Sequence, residues 1–141
     1  MTTKIVKYAA IALILTTSLF SCTKKDEEPT IIGKWKLVEV KEDWDWFGEP
    51  KIHDYSQYNI VYEFKNINIL LVSGKTDNIS LVHGNGEHSY TLFERDWPYT
   101  IDKKLYYVEI DRWEWSYNFI STKELVVEKP DLVIYKFIKL K

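Results

Sequence analysis

The sequence predicts an all-β fold, an antiparallel meander closing into a small barrel of about 8–10 strands over residues 31–141. Three observations carry that expectation. Short runs rich in Ile, Val, Tyr, Phe and Trp, the residues that pack well on a pleated surface, alternate with turn-forming residues at near-regular spacing. No stretch holds a helical period for three turns. The connections between consecutive runs have the chemistry of hairpins, which join antiparallel neighbours.

Taken in order, strands are expected over 33–41, 58–65, 67–73, 80–83, 87–93, 99–101, 104–111, 113–121, 124–129 and 131–140, the shortest of which can merge with a neighbour or fail to form. Between them, Ser73-Gly74-Lys75, Gly84-Asn85-Gly86, Asp102-Lys103-Lys104, Asp111-Arg112 and Lys129-Pro130-Asp131 supply residues that tolerate turn dihedrals. Consecutive hairpins make a meander. A meander of this size either stacks as a sandwich or closes as a barrel, and closure removes the exposed edges that invite aggregation, so the barrel is favoured.

Ahead of this domain, Met1 to Lys7 carries Lys4 and Lys7 and no acid, and Tyr8 to Phe20 is apolar apart from Thr16, Thr17 and Ser18. That is the layout of a secretory signal peptide, and the apolar run falls short of the roughly 20 residues that cross a bilayer as a helix. Leu19-Phe20-Ser21-Cys22 resembles the lipobox of bacterial lipoproteins, with Phe20 bulkier than the usual occupant. The resemblance implies a signal peptide over 1–21, lipidation of Cys22, and a tether over 22–30. The lipid would be diacylglycerol plus an amide-linked fatty acid such as palmitate. Each buried methylene contributes about 0.8 kcal/mol, so that combination holds a chain stably to a membrane. Thr23 after the cysteine and the acidic stretch Lys25-Asp26-Glu27-Glu28 resemble outer-membrane and cell-surface sorting signals of diderm bacteria; a plain polar linker is the other reading of the stretch. Location in the outer membrane, facing either the periplasm or the exterior, is the expectation.

The chain has 19 basic and 21 acidic side chains, and loss of Lys4 and Lys7 with the leader leaves the mature form with 17 against 21. A net negative charge argues against nucleic acid as a partner. With Cys22 the only cysteine, the domain holds together without disulfides, and about 112 residues beyond the tether make one domain with one core.

The start of that domain, Ile31-Ile32-Gly33-Lys34-Trp35-Lys36-Leu37-Val38-Glu39-Val40, resembles the first strand of lipocalin-like bacterial lipoproteins, with Gly33 and Trp35 as their Gly-x-Trp signature. The resemblance implies that Gly33 lets the chain pass tightly into the first strand and that Trp35 lies across the closed end of the barrel. Two features depart from the larger lipocalins. Thr76-Asp77-Asn78 matches their Thr-Asp-Tyr turn only in part, and the last strand offers Lys136, Lys139 and Lys141 where they carry an arginine that packs on the tryptophan.

Four features bear on function. The stretch 42–55 reads as a long loop after the first strand, and Trp44, Trp46 and Phe47 within it give it more aromatic character than a disordered segment holds. In the family it resembles, this loop overhangs the open mouth, so the three rings are either a lid over a ligand or a cap on the core. At strand period Trp113, Trp115, Tyr117 and Phe119 share one face, which either packs the interior or lines a site. His83-Gly84-Asn85-Gly86-Glu87-His88 places two imidazoles and a carboxylate around a tight hairpin, but a closed zinc site needs four ligands, of which these supply three with only His53 or Asp54 as remote additions, and a solvent-exposed hairpin tip is the better reading. Finally, no nucleophile elbow, phosphate-cradling glycine loop or metalloprotease motif is present, although carboxylates such as Glu109 and Glu114 could converge from different strands.

The expectation is thus a monomeric, membrane-tethered binding protein without catalytic residues, metal or cofactor. It would sequester a small, partly apolar ligand with Trp44, Trp46 and Phe47 as lid and Trp113, Trp115 and Tyr117 as wall. The alternative is a surface module or inhibitor with a filled barrel, docking a protein or glycan through its aromatic loop.

Overall fold

Nine strands form one antiparallel sheet in a computed structural model that describes residues 28–43, 48–74, 83–96 and 104–141. They are β1 Gly33–Glu42, β2 Lys51–Asp54, β3 Val61–Lys65, β4 Ile69–Ser73, β5 Gly86–Asp96, β6 Lys104–Ile110, β7 Trp113–Ser121, β8 Glu124–Glu128 and β9 Val133–Lys139. From β3 to β9 each strand pairs with the next, and β9 pairs with β1, which also pairs with β3. The result is an eight-stranded antiparallel barrel with β2 as one extra strand, an architecture compatible with a lipocalin-like fold. No helix occurs among the described residues.

Strand β1 is the seam. One edge runs along β9 from Trp35 opposite Lys139 to Glu42 opposite Val133. Its other edge is shared: Gly33 to Lys36 pair with β3, and Glu39 to Glu42 pair with β2. A register shift between Leu37 and Glu39 marks a bulge, after which the inward position moves from Leu37 to Val40. β2 is a departure from the expected uninterrupted loop over 42–55. Its residues Lys51-Ile52-His53-Asp54 are largely exposed and show no apolar alternation, so β1, not burial, holds them in strand form. The strand expected over 58–65 begins at Val61, because Tyr58 still closes a turn onto Tyr55. The strands expected over 80–83 and 99–101 fall outside the described residues apart from His83, which is not in a strand.

Inside, alternate residues of β1, β3, β4, β6, β8 and β9 supply most of the core, and β5 and β7 add Tyr90 and Trp115. Trp35, Tyr62, Phe64, Leu70, Val108, Ile110, Leu125, Val127, Tyr135 and Phe137 are all buried. An eight-stranded barrel has an interior just wide enough to be filled by side chains or to take one small ligand. Rings dominate the filling: Tyr62 meets Phe137 edge-on at 5.0 Å, and Phe64 meets Tyr90 edge-on at 5.2 Å.

Two turns show why their residues are needed. Asp111 and Arg112 both take positive φ, 49° and 74°, as the tightest hairpin connection requires. Gly74, at φ 129°, passes so close to the chain at Asn59 and Ile60 that a Cβ there would lie 2.5 Å from the Asn59 carbonyl oxygen. Only glycine fits.

Candidate functional site

The barrel's two ends differ in chemistry. At the end where β1 begins, Trp35 is fully buried, its indole N–H donates to the Ile31 carbonyl at 2.7 Å, and Phe119 packs against it at 6.1 Å. The Lys139 ammonium stands 5.2 Å from the Trp35 ring centroid. A lysine of the last strand thus makes a cation–π contact with the first-strand tryptophan, where the larger lipocalins use an arginine. Gly33 enters β1 at φ 124°. This end is closed.

The opposite end, the mouth, gathers polar aromatic groups from five parts of the chain. His83, just before β5, stacks on Trp115 of β7 with centroids 4.7 Å apart and planes 26° off parallel. Trp115 also leans on Tyr135 of β9 at 5.1 Å, and the Lys129 ammonium lies 5.4 Å from its ring centroid. Beneath His83, Tyr62 of β3 receives the His83 backbone N–H at 3.0 Å. Its own hydroxyl proton then has the His83 Nδ1 as acceptor at 3.2 Å, which leaves the ring proton on Nε2. Burial deprives a charged imidazole of water, and His88 and Lys129 add positive charge nearby, so the His83 pKa falls to about 4. It is neutral at pH 7.

His88, edge-on to His83 at 5.3 Å, is the opposite case. Partial burial works against its charge, yet hydrogen bonds to Asp111 and to the Gly84 carbonyl, together with the Asp111 charge, raise its pKa. Both ring nitrogens donate, Nδ1 to Asp111 and Nε2 to Gly84 at 2.8 Å. Asp111, whose carboxyl is held low chiefly by the His88 hydrogen bond, also accepts from the Ser89 N–H at 3.1 Å. The mouth therefore combines a neutral imidazole with a histidine–aspartate ion pair. The expected solvent-exposed hairpin tip is corrected: His83 packs over the barrel, because Trp115 and Tyr62 give its ring an apolar bed. Among the described residues no three His, Cys, Asp or Glu side chains are grouped to hold a metal ion.

One atom in this cluster stands out. Trp115 is 4% exposed, and its indole N–H is buried with no acceptor among the described residues. A buried donor without a partner costs about 1–3 kcal/mol.

The proposed wall divides. Trp115 belongs to the mouth. Tyr117, half-buried, packs on Tyr106 at 5.7 Å and on Phe119 at 5.8 Å, toward the closed end. Trp113 is corrected: it is 69% exposed and takes no part in the buried row, although its cross-strand partner Ile110 is buried. Trp44, Trp46 and Phe47, like Cys22, lie outside the described residues.

A second feature, unforeseen in the sequence, occupies the outer wall. Phe93 of β5 and Tyr107 of β6 stack at 5.4 Å with planes 9° apart, and the Arg95 guanidinium lies 5.0 Å from each centroid while binding Glu114 at 2.9 Å. Glu109 and Glu114 do come together as cross-strand partners, with Glu114 already engaged by Arg95. Beside the stack, a half-open groove of about 260 Å³ is lined by Leu105, Tyr106, Ser116, Asn118, Val126 and Glu128 together with Tyr117, the wall residue expected from the sequence.

No protein-family model, curated protein or solved structure matches the chain.

Proposed function

We propose that this chain is a membrane-tethered, lipocalin-like binding protein. It holds a small, partly apolar ligand at the mouth of its barrel and performs no chemistry on it. The observation that carries this reading is the buried indole N–H of Trp115, without an acceptor among the described residues, beside the rings of His83 and Tyr135. A ligand with one hydrogen-bond acceptor and an apolar body would satisfy that donor and cover those rings. Because Tyr62, Tyr135 and Phe137 fill the interior, the ligand sits shallowly, and Trp44, Trp46 and Phe47 are the rings proposed as its lid. The lipid on Cys22 keeps the protein at the outer membrane, as a monomer.

Native mass spectrometry of the mature chain purified from its own envelope tests this. The expected result is mass beyond chain and lipid that leaves on mild activation and is lost in Trp44→Ala/Trp46→Ala. Retention of the same mass by that variant would remove the lid. A bare chain that takes up no candidate ligand would favour the second reading, a surface module that docks a protein or glycan on the Phe93–Tyr107–Arg95 stack and its groove.

A further inference from the structure

We propose that the closed end of the barrel is a membrane-docking surface, which seats on anionic phospholipid headgroups and turns the mouth away from the bilayer. The proposal rests on the reading of Cys22 as a lipid anchor and goes beyond it, since an anchor alone leaves the domain free to tumble.

Two exposed isoleucines stand at this end, one in a turn and one in the last residues of a strand. Ile67, between β3 and β4, is 65% exposed, and Ile120, at the register shift near the end of β7, is 61% exposed. At the turn that holds Ile67, Asn, Gly or Asp is taken more readily than a β-branched apolar side chain. Along the rim between them lie β1 and β9, whose ends are tied together: Leu140 N–H donates to the Lys34 carbonyl at 2.9 Å, and Lys139 N–H to the Lys123 carbonyl at 2.8 Å. These bonds and the Lys65–Ile69 pairing put Lys34, Lys65, Lys123, Lys139 and Lys141 on one arc of the rim. The acids there are Glu28, Glu124 and Glu63, the last 4.0 Å from Lys34. The arc, five lysines against three acids, is thus net positive on a chain that is net negative, while the turns at the mouth carry Asp43, Glu49, Asp111 and Asp131 against Arg112 and Lys129.

The tether completes the argument. The described chain starts at Glu28, against this same end, because Ile31 accepts the Trp35 indole N–H. From Cys22 to Glu28 the fully extended chain reaches about 20 Å. A lipid on Cys22 therefore delivers the lysine arc to within a short distance of headgroups, where juxtamembrane lysines are attracted to anionic lipid and isolated apolar tips enter the interface.

The test uses the full lipoprotein reconstituted in phosphatidylcholine vesicles with and without phosphatidylglycerol. A polarity-sensitive fluorophore is placed in turn on Ile67→Cys, Ile120→Cys and, at the other end, Ile52→Cys; Cys22 does not compete, its sulfur being acylated. Ile52 is equally exposed at 62%, so all three labels start in water. The expected result is a blue shift, and quenching by doxyl-labelled acyl chains, at 67 and 120 but not at 52. Both should depend on phosphatidylglycerol and be weakened about tenfold by Lys65→Glu/Lys123→Glu. Labels at 67 and 120 as water-exposed as that at 52, or signals indifferent to phosphatidylglycerol and to charge reversal, would overturn the docking while leaving the anchor intact. An intact mass without acyl chains on Cys22 would overturn the anchor itself, and the docking with it.

Discussion

Protonating His83 should loosen the mouth, and its free-energy cost follows from the packing around that ring. Unfolded, the imidazole has the ordinary pKa of 6.5; folded, burial and the nearby charges of His88 and Lys129 lower it to about 4. The unfolded chain therefore takes up this proton first. Stability contributed by neutral His83 is present in full above pH 6.5 and is lost as the pH falls toward 4, to a total of about 3 kcal/mol. Its neighbours do not imitate this. His88 has a raised folded pKa, so its pair with Asp111 contributes fully below pH 6.5 and is lost as the pH rises through the folded value. Asp111, held below 3.8, surrenders its share only in stronger acid. Urea unfolding followed by tryptophan fluorescence, repeated between pH 7 and pH 4, measures the loss. His83→Asn supplies the control, since its side-chain oxygen can accept the Tyr62 proton but does not titrate. The wild type should lose about 3 kcal/mol more than the variant across this interval. Parallel curves for the two proteins, or an NMR titration placing His83 near 6.5, would refute the reasoning.

Three further outcomes are expected. Trp35→Ala removes a fully buried ring, its hydrogen bond to Ile31 and the bed of Lys139, and should cost about 3–5 kcal/mol in denaturant unfolding. Gly74→Ala should lower the melting temperature, at a stability cost of at least the roughly 1–3 kcal/mol typical of a strained backbone, because its Cβ would meet backbone at Asn59 and Ile60; Gly84→Ala, with open space around it, should be near neutral. Arg95→Ala breaks an exposed ion pair and two ring contacts and should change stability by less than about 1 kcal/mol in the same assay, the mark of a residue placed for the surface and not for the fold.

The barrel was legible because most of its strands bury alternate residues, and burial writes itself into sequence as apolar alternation. β8 and β9 appear within a few residues of their expected bounds for that reason, and β7, which buries only Trp115, was bounded by Asp111-Arg112 before it and marked by its alternating rings. β2 was invisible for the converse reason: Lys51, Ile52 and Asp54 are exposed, and the strand exists because β1 offers it an edge. The mouth cluster hid differently. Tyr62, Trp115 and Tyr135 come from separated strands and His83 from the segment before β5, and only the closure of the barrel brings them into contact. His83 and His88 looked like a free hairpin tip because local spacing carries no information about the indole waiting opposite. The Phe93–Tyr107 stack and Arg95 meet only through the β5–β6 register, which could not be assigned before the length of that hairpin was known.

The seam at β1 has a kinetic consequence. The first strand of the domain completes the sheet by pairing with the last, so its inner edge has no partner until β9 has been made and folded. Such contacts between distant parts of a chain are slow to form, because the intervening loop must be closed before they reward it. During synthesis β1 emerges first and stays unpaired on that side longest. A chain cut short before Val133 keeps two open edges, at β1 and β8, and should aggregate rather than fold to a smaller barrel.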